Sequence, residues 1–197
     1  FHYDLSIQGG FHVLHRLDAS TSGCVCIPLS KRAQVDAVKP FSRNQVSKQY
    51  LALVYGHLKL DRETLEVKMP IGDDARQLRH AMCTLRDASG KVNEHCLNAQ
   101  EAVSHIQVIE YGLYKKKKCT KVLINPLTGK RHQLRVHLSY LGHPVVGDLV
   151  YGVDDFDSYR TMLHSFKFEM TVEKNRPVKI HACACLLYTS PSPRDYC

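Results

Sequence analysis

The chain has 197 residues, 44% hydrophobic and 23% charged, with a net charge of +8. That length suits one domain with its own core and is short for two, and no apolar run nears the roughly 20 residues of a membrane-spanning helix. The eight cysteines are scattered from Cys24 and Cys26 through Cys83, Cys96 and Cys119 to Cys183, Cys185 and Cys197; they form no compact framework, which excludes a disulfide scaffold and points to a reducing compartment.

The opening Phe1-His2-Tyr3-Asp4 has no Met, no basic region and no small-residue cleavage site, so it reads as a cut end and not as a leader. Cys24 to Leu29 reads as a short buried strand after a glycine turn. Ser30 to Phe41 carries Ala33, Ala37, Val38 and Phe41 at helical spacing, with Ser30 as N-cap, and Pro40 is expected to end or kink that helix. Strands are predicted over Gln49–Tyr55, closed by Gly56, and over Leu65–Pro70. His105–Glu110 and Lys121–Asn125 are two more, joined by a polylysine turn. Pro126-Leu127-Thr128-Gly129 is a turn signal. Gln133–Leu141 repeats Leu134, Leu138 and Leu141 at helical spacing, and Gly142 can stop it. Phe166–Val172 and Val178–His181 close the series as strands. Many strands with few helices indicate an α+β fold around a mixed, mostly antiparallel sheet. From Leu186 onward the Ser-Pro composition reads as a disordered or non-native tail, leaving residues 1–181 as one domain.

The positive charge is concentrated. Between Tyr111 and Gly147 there is no Asp or Glu, yet Lys115 to Lys118, Lys121, Lys130, Arg131 and Arg135 all fall there. The rest of the chain holds 19 basic against 19 acidic residues. A one-sided field of this kind attracts polyanions, nucleic acid first among them.

Two constellations carry chemistry. In His15-Arg16-Leu17-Asp18-Ala19-Ser20-Thr21-Ser22-Gly23 a carboxylate sits in a polar turn before an apolar segment, with hydroxyls at hand to orient it. Alone, such an Asp is more often a loop cap than a catalyst. In Thr128-Gly129-Lys130-Arg131-His132-Gln133-Leu134-Arg135-Val136-His137, three cations, two imidazoles and an amide crowd a turn and a helix start, with Arg135 near the edge of the apolar face.

Together these segments resemble the RluA-like pseudouridine synthases. His-Arg-Leu-Asp-x-x-Thr-Ser-Gly is similar to the family signature, and Thr128 to His137 is similar to its later motif. Val46 to Val54, Gly142-His143-Pro144-Val145-Val146-Gly147-Asp148-Leu149-Val150-Tyr151-Gly152 and Leu163-His164 match further motifs in order. Tyr111 to Tyr114 and Leu127 to Gly129 resemble the eukaryotic RNA pseudouridylate synthase domain-containing proteins. The resemblance implies the pseudouridine synthase catalytic fold and an isomerase that turns uridine into pseudouridine in RNA by flipping the base.

It also implies roles. Asp18 would be the essential carboxylate at the glycosidic carbon. Tyr50 would pack on the uracil and assist proton removal at C5, and Arg135 would ion-pair with the catalytic carboxylate. Arg16 would help displace the target nucleotide, and Leu134 would wall the base pocket. With Arg16, the residues Lys48, Lys130, Arg131, His132 and Gln133 are expected to contact RNA, and His15 to orient the Asp18 loop. The isomerisation moves no net electrons, so neither cofactor nor metal is called for. A structured RNA is the expected partner of a monomer that does not engage membranes. A cytoplasmic setting follows from the thiols and the missing leader, with nucleus and mitochondrion open. Lys130 stands where the family usually has Arg, and only about ten residues precede the first motif where the family has further strands.

Three other readings compete. A non-catalytic RNA-binding domain could keep this fold, although Asp18, Arg16, Tyr50 and Arg135 are all present. A zinc module on His181, Cys183 and Cys185, with Cys96, lacks paired Cys-x-x-Cys knuckles. A hydrolase built on His15 and Asp18 lacks a nucleophile motif.

Overall fold

The computed structural model describes residues 14–43, 45–77, 81–152, 158–172 and 178–183. The principal sheet holds seven strands. Along it run β1 (Ser22–Gly23), β9 (Leu163–Val172), β2 (Val46–Tyr55), β8 (Lys117–Pro126), β7 (Val103–Tyr114) and β3 (Thr64–Lys68), while β10 (Val178–Cys183) pairs with β9. Only β1 against β9 is parallel; the other pairings are antiparallel. A smaller antiparallel sheet is ordered β5 (Met82–Thr84), β4 (Ile71–Asp74) and β6 (Cys96–Gln100). With helices α1 (Lys31–Ser42) and α2 (Gln133–Tyr140), this is the expected α+β architecture. Among the described residues no helix is long and apolar enough to cross a membrane.

The core is built on the consecutive buried residues Ala52, Leu53 and Val54 of β2 and on the alternating inward side chains of β8. Val54, Val122 and Ile124 are fully buried and meet Leu134 and Leu138 of α2 in one cluster. The opposite side of α2 sends Val136 into a second cluster with Ile71 and Ala102, against which Met82 packs. Helix α2 is therefore clasped between the two sheets, with every residue from Gln133 to Leu138 buried. Truncating Leu138 to Ala at such a position costs about 2–5 kcal/mol. Gly142 ends the helix as expected, with φ of 77°. Its N–H donates to the Ser139 carbonyl, and that of His143 to the Leu138 carbonyl, the paired closure that a left-handed residue permits.

Helix α1 begins at its expected cap: the Ser30 hydroxyl accepts from the Ala33 N–H at 3.1 Å. Pro40 lies in the last turn and is buried, where it breaks nothing. The buried face differs by one position from the expectation, because Pro40 takes the inward place and Val38 is exposed. A second correction concerns Cys24–Leu29. Only Ser22–Gly23 pairs with β9, and Val25, Ile27 and Leu29 are all exposed. The segment is anchored instead by Cys24 and Cys26 packing against Phe168 and Met170, so its apolar residues do not form a buried strand. The tail from residue 186 and Cys185 lie outside the described residues.

Candidate active site

One end of the principal sheet opens into a cleft of about 820 Å³. Arg16, Asp18, Lys48, Tyr50, Lys130, His132, Gln133, Leu134 and Arg135 all line it. Three separate stretches of chain thus converge, and of the expected site residues Arg131 alone is absent from the lining.

The Asp18 loop is held by its neighbours. The Thr21 N–H donates to the Asp18 carbonyl at 2.9 Å. Gly23 (φ 115°) abuts the Ser165 backbone so closely that a Cβ would sit 2.3 Å from its carbonyl oxygen. Only glycine lets this loop dock onto β9. The Ser22 hydroxyl accepts from Arg160 Nη1 and meets His164 Nδ1, both at 2.8 Å. On the other side His15 Nε2 accepts the Cys26 N–H at 2.9 Å, and its ring packs against both Phe41 and Phe168, which also touch each other. Burial, helped by the Lys48 charge, lowers the His15 pKa to about 4, so the ring stays a neutral acceptor. His15 thereby ties the start of the Asp18 loop to the segment that follows it.

Asp18 faces two groups of α2 and its N-terminus. Arg135 Nη1 donates to Asp18 Oδ2 at 3.3 Å. The tighter partner of Arg135, unforeseen in the sequence, is Asp148: Nε and Nη2 donate to its two oxygens at 2.7 and 2.8 Å. Asp148 is 1% exposed and Arg135 5%. Burial would raise the Asp148 carboxyl, but hydrogen bonds and charge from Arg135, with the Val150 and Tyr151 N–H groups, hold it below the usual carboxylate range. Burial works against the Arg135 cation too, and Asp148 and Asp18 outweigh it. The Tyr151 ring lies 5.0 Å beneath the guanidinium. Arg135 is thereby aimed, with one N–H pair left for Asp18.

His132, in the left-handed region at φ 53°, is the second group. The Tyr151 hydroxyl accepts the Met82 N–H at 2.7 Å and shares a second hydrogen bond with His132 Nδ1, also at 2.7 Å. Burial lowers the His132 pKa against the pull of Asp18, with Arg135 and Arg131 adding to the decrease. The His132 Nε2 faces Asp18 Oδ1 at 4.0 Å. Burial likewise raises the Tyr151 phenol to about 12, which keeps the hydroxyl a donor.

Gln133 sits differently from the expectation of RNA contact. It is buried and its carboxamide is fully committed. Oε1 accepts from the Thr128 hydroxyl and the Lys130 N–H at 2.8 and 2.9 Å. Nε2 donates to the Val103 carbonyl and the Ser104 hydroxyl, both at 2.9 Å. It fastens the loop carrying Lys130, Arg131 and His132 to the start of β7. Lys130 reaches Gln100 at 2.7 Å, and Arg131 and Arg16 are exposed.

Tyr50 stands across the cleft in β2, opposite Ile124 and, after a bulge, Ser165. Burial raises its phenol pKa; a Ser165 hydrogen bond opposes and the Asp18 charge adds to the increase. Leu134 gives the cleft an apolar wall, and the Lys48 ammonium lies 5.1 Å over the Phe41 ring. A carboxylate, an aimed cation, a phenol and an apolar wall around one cleft can receive a flat base and act on the sugar attached to it. Sequence reasoning missed Asp148 and Tyr151. Both lie in the Gly147 to Gly152 stretch, where the motif was visible but its partner was not.

Among the described residues no group of three metal-binding side chains occurs. A family model described as "RNA pseudouridylate synthase" matches residues 3–140. The chain is 42% identical over 178 residues to the "RNA pseudouridylate synthase domain-containing protein 1" of Mus musculus, covering 88% of this chain and 55% of the mouse protein. It is 36% identical over 140 residues to the "Dual-specificity RNA pseudouridine synthase RluA" of Haemophilus ducreyi, covering 70% of this chain and 56% of that one. The solved structure titled "Human RNA Pseudouridylate Synthase Domain Containing 1" superposes with a TM-score of 0.76 at 36% identity, over 94% of this chain and 71% of the human one. The chain spans about half the length of the curated relatives it matches.

Proposed function

This chain belongs to the RNA pseudouridylate synthase family, and on that premise we propose that it isomerises uridine to pseudouridine in RNA, with Asp18 as the catalytic carboxylate. The observation that carries the reading is the Asp18–Arg135–Asp148 chain at the floor of the cleft. Arg135 is held by a buried carboxylate and offers its remaining N–H groups to a second, more accessible one.

In the proposed reaction the uridine leaves its stack, at a cost of a few kcal/mol, and enters the cleft between Tyr50 and Leu134. Scission of N1–C1′ leaves the electron pair on uracil and positive character on the sugar. Asp18 meets that charge by bonding to C1′ or by electrostatic stabilisation, as carboxylates do in glycoside hydrolysis. The uracil turns, C5 bonds to C1′, the C5 proton departs and N1 gains one. Arg135 keeps the Asp18 carboxylate aimed throughout. Tyr50 remains a phenol at neutral pH, so a part in removing the C5 proton requires passing its own proton on, and Ser165 is the hydrogen-bonded neighbour available. Lys48, Lys130 and Arg16 line the cleft, with Arg131 exposed next to Lys130, and these cations are suited to phosphate, with affinity that falls as salt rises. We place the reaction in a reducing, cytoplasmic setting on a monomeric enzyme.

The test is pseudouridine content in structured RNA incubated with the full-length protein, wild type beside Asp18→Ala, with RNA binding measured in parallel. Wild type should form pseudouridine, and the variant should bind RNA without forming it. If neither forms it while both are folded and bind, a non-catalytic RNA-binding role replaces this one.

A further inference from the structure

The basic stretch between Tyr111 and Gly147 divides into two patches. Lys130, Arg131 and Arg135 lie at the cleft, but Lys115 to Lys118 form the tip of the β7–β8 hairpin at the far end of the sheet. From Lys117 to Pro126, whose side chain lines the cleft, β8 rises through nine residue steps, about 30 Å. All four lysines are exposed. Lys115 and Lys116 form the two-residue turn, and both hold positive φ, 46° and 66°. Asn-Gly is the favoured pair for such a turn, and a lysine at either position is strained. The Lys115 and Lys117 ammonium groups lie over the Tyr114 and Tyr55 rings at 6.0 and 5.7 Å, contacts that leave both side chains exposed, and the turn geometry itself does not call for charge here.

The Gly56 N–H donates to the Lys118 carbonyl at 2.8 Å, which brings the exposed His57 and Lys59 alongside the hairpin. The His57 ring packs on Tyr111 at 5.2 Å. Tyr111 is 48% exposed, yet its hydroxyl donates to the Leu58 carbonyl at 3.0 Å, so an open aromatic ring is held in a fixed pose. Exposed cations clustered on one rigid corner of a sheet are the electrostatic footprint of a surface that meets a nucleic-acid backbone. The 30 Å to the cleft is close to one helical turn of duplex.

We propose that the β7–β8 hairpin tip is a second RNA-binding surface, engaging the phosphates of a helical arm of the RNA whose target uridine occupies the cleft. The proposal rests on RNA being the substrate class, but not on turnover.

The test uses Lys115→Asn/Lys116→Gly, which installs the favoured turn, together with Lys118→Gln. Fluorescence anisotropy on the full-length protein gives Kd across a salt series for two RNAs. One is a stem-loop with a paired arm longer than one helical turn, and the other is the same loop on a short stem. The triple variant should bind the long-armed RNA at least tenfold more weakly at low salt, and its log Kd against log salt slope should fall by about 2. The ratio of affinities, long arm over short, should drop by the same tenfold. An undiminished Tm in the variant keeps the comparison from reporting unfolding. An unchanged slope on the long-armed RNA overturns the proposal and leaves the tip to an acidic protein partner. Equal weakening on both RNAs also overturns it, since the tip would then act only through the general field. Both RNAs are read by binding, so absence of pseudouridine would sink the catalytic reading without touching this result.

Discussion

Replacing Asp148 by Asn removes one charge from the buried pair that aims Arg135 while changing almost no volume. The amide oxygen can still accept from the Val150 and Tyr151 N–H groups, now at 3.0 and 3.2 Å, but the two strong bonds at 2.7 and 2.8 Å to the guanidinium become one. Arg135 would keep its charge with 6% of its side chain exposed and only the 3.3 Å contact to Asp18 as an ionic partner. Stranding one member of a buried pair costs about 3–5 kcal/mol, and the surviving backbone bonds put this variant near the lower end, about 3 kcal/mol. For a chain of this size that lowers Tm by roughly 6–12 °C. Urea unfolding should show a lower midpoint at constant m. The companion variant Arg135→Met/Asp148→Leu separates the cost of an orphaned charge from the worth of the pair. It should recover most of the loss in stability, since apolar replacements of buried pairs are often neutral, while forming no pseudouridine. A single-variant loss below about 1 kcal/mol would show that solvent reaches Arg135 and that Asp148 does not aim it. A double variant as unstable as the sum of its parts would refute the same reasoning from the other side.

Three further outcomes are expected. The His15 imidazole titrates near 6.5 in the unfolded chain and near 4 when folded, so the unfolded state holds the extra proton between those values and stability falls as pH drops from 6.5 towards 4. His137 and His164 are also lowered by burial and add to the slope. His15→Gln keeps an acceptor for the Cys26 N–H and should flatten the urea midpoint against pH, and an unchanged slope would rule His15 out as a contributor. Tyr151→Phe orphans the Met82 N–H and removes the hydroxyl bonded to His132 Nδ1. It should slow pseudouridine formation on the order of tenfold, equivalent to about 1.4 kcal/mol, with Kd for RNA unchanged; a rise in Kd at constant rate would place His132 on the RNA instead. Gln133→Leu leaves buried partners unsatisfied around Val103, Ser104 and Lys130, at a cost of about 2–3 kcal/mol by chemical denaturation. If that variant is as stable as wild type, the loop from Thr128 to His132 is held by something else.

Some features were settled by neighbours in sequence. Ser30 as N-cap, Gly142 as stop, the strand character of β2, β7 and β8 and the Leu134–Leu138 spacing depend on residues within one or two turns or strand steps, so local order suffices to read them. The convergence of Asp18, Tyr50 and Arg135 was legible only through the motifs that surround them, because no periodicity links positions 117 residues apart. Other features required the folded chain. Cys24–Leu29 is apolar enough for a buried strand, but β9 pairs only with Ser22–Gly23 there, and where the sheet stops is a tertiary fact. The small sheet of β4, β5 and β6 escaped notice because three to five residues of mixed polarity carry too little pattern. The choice of Asp148 over Asp18 as the tight partner of Arg135, the committed carboxamide of Gln133 and the division of the basic stretch between cleft and hairpin tip share one cause. The worth of a charge or an amide is set by which groups share its burial, and burial is a property of the packed chain.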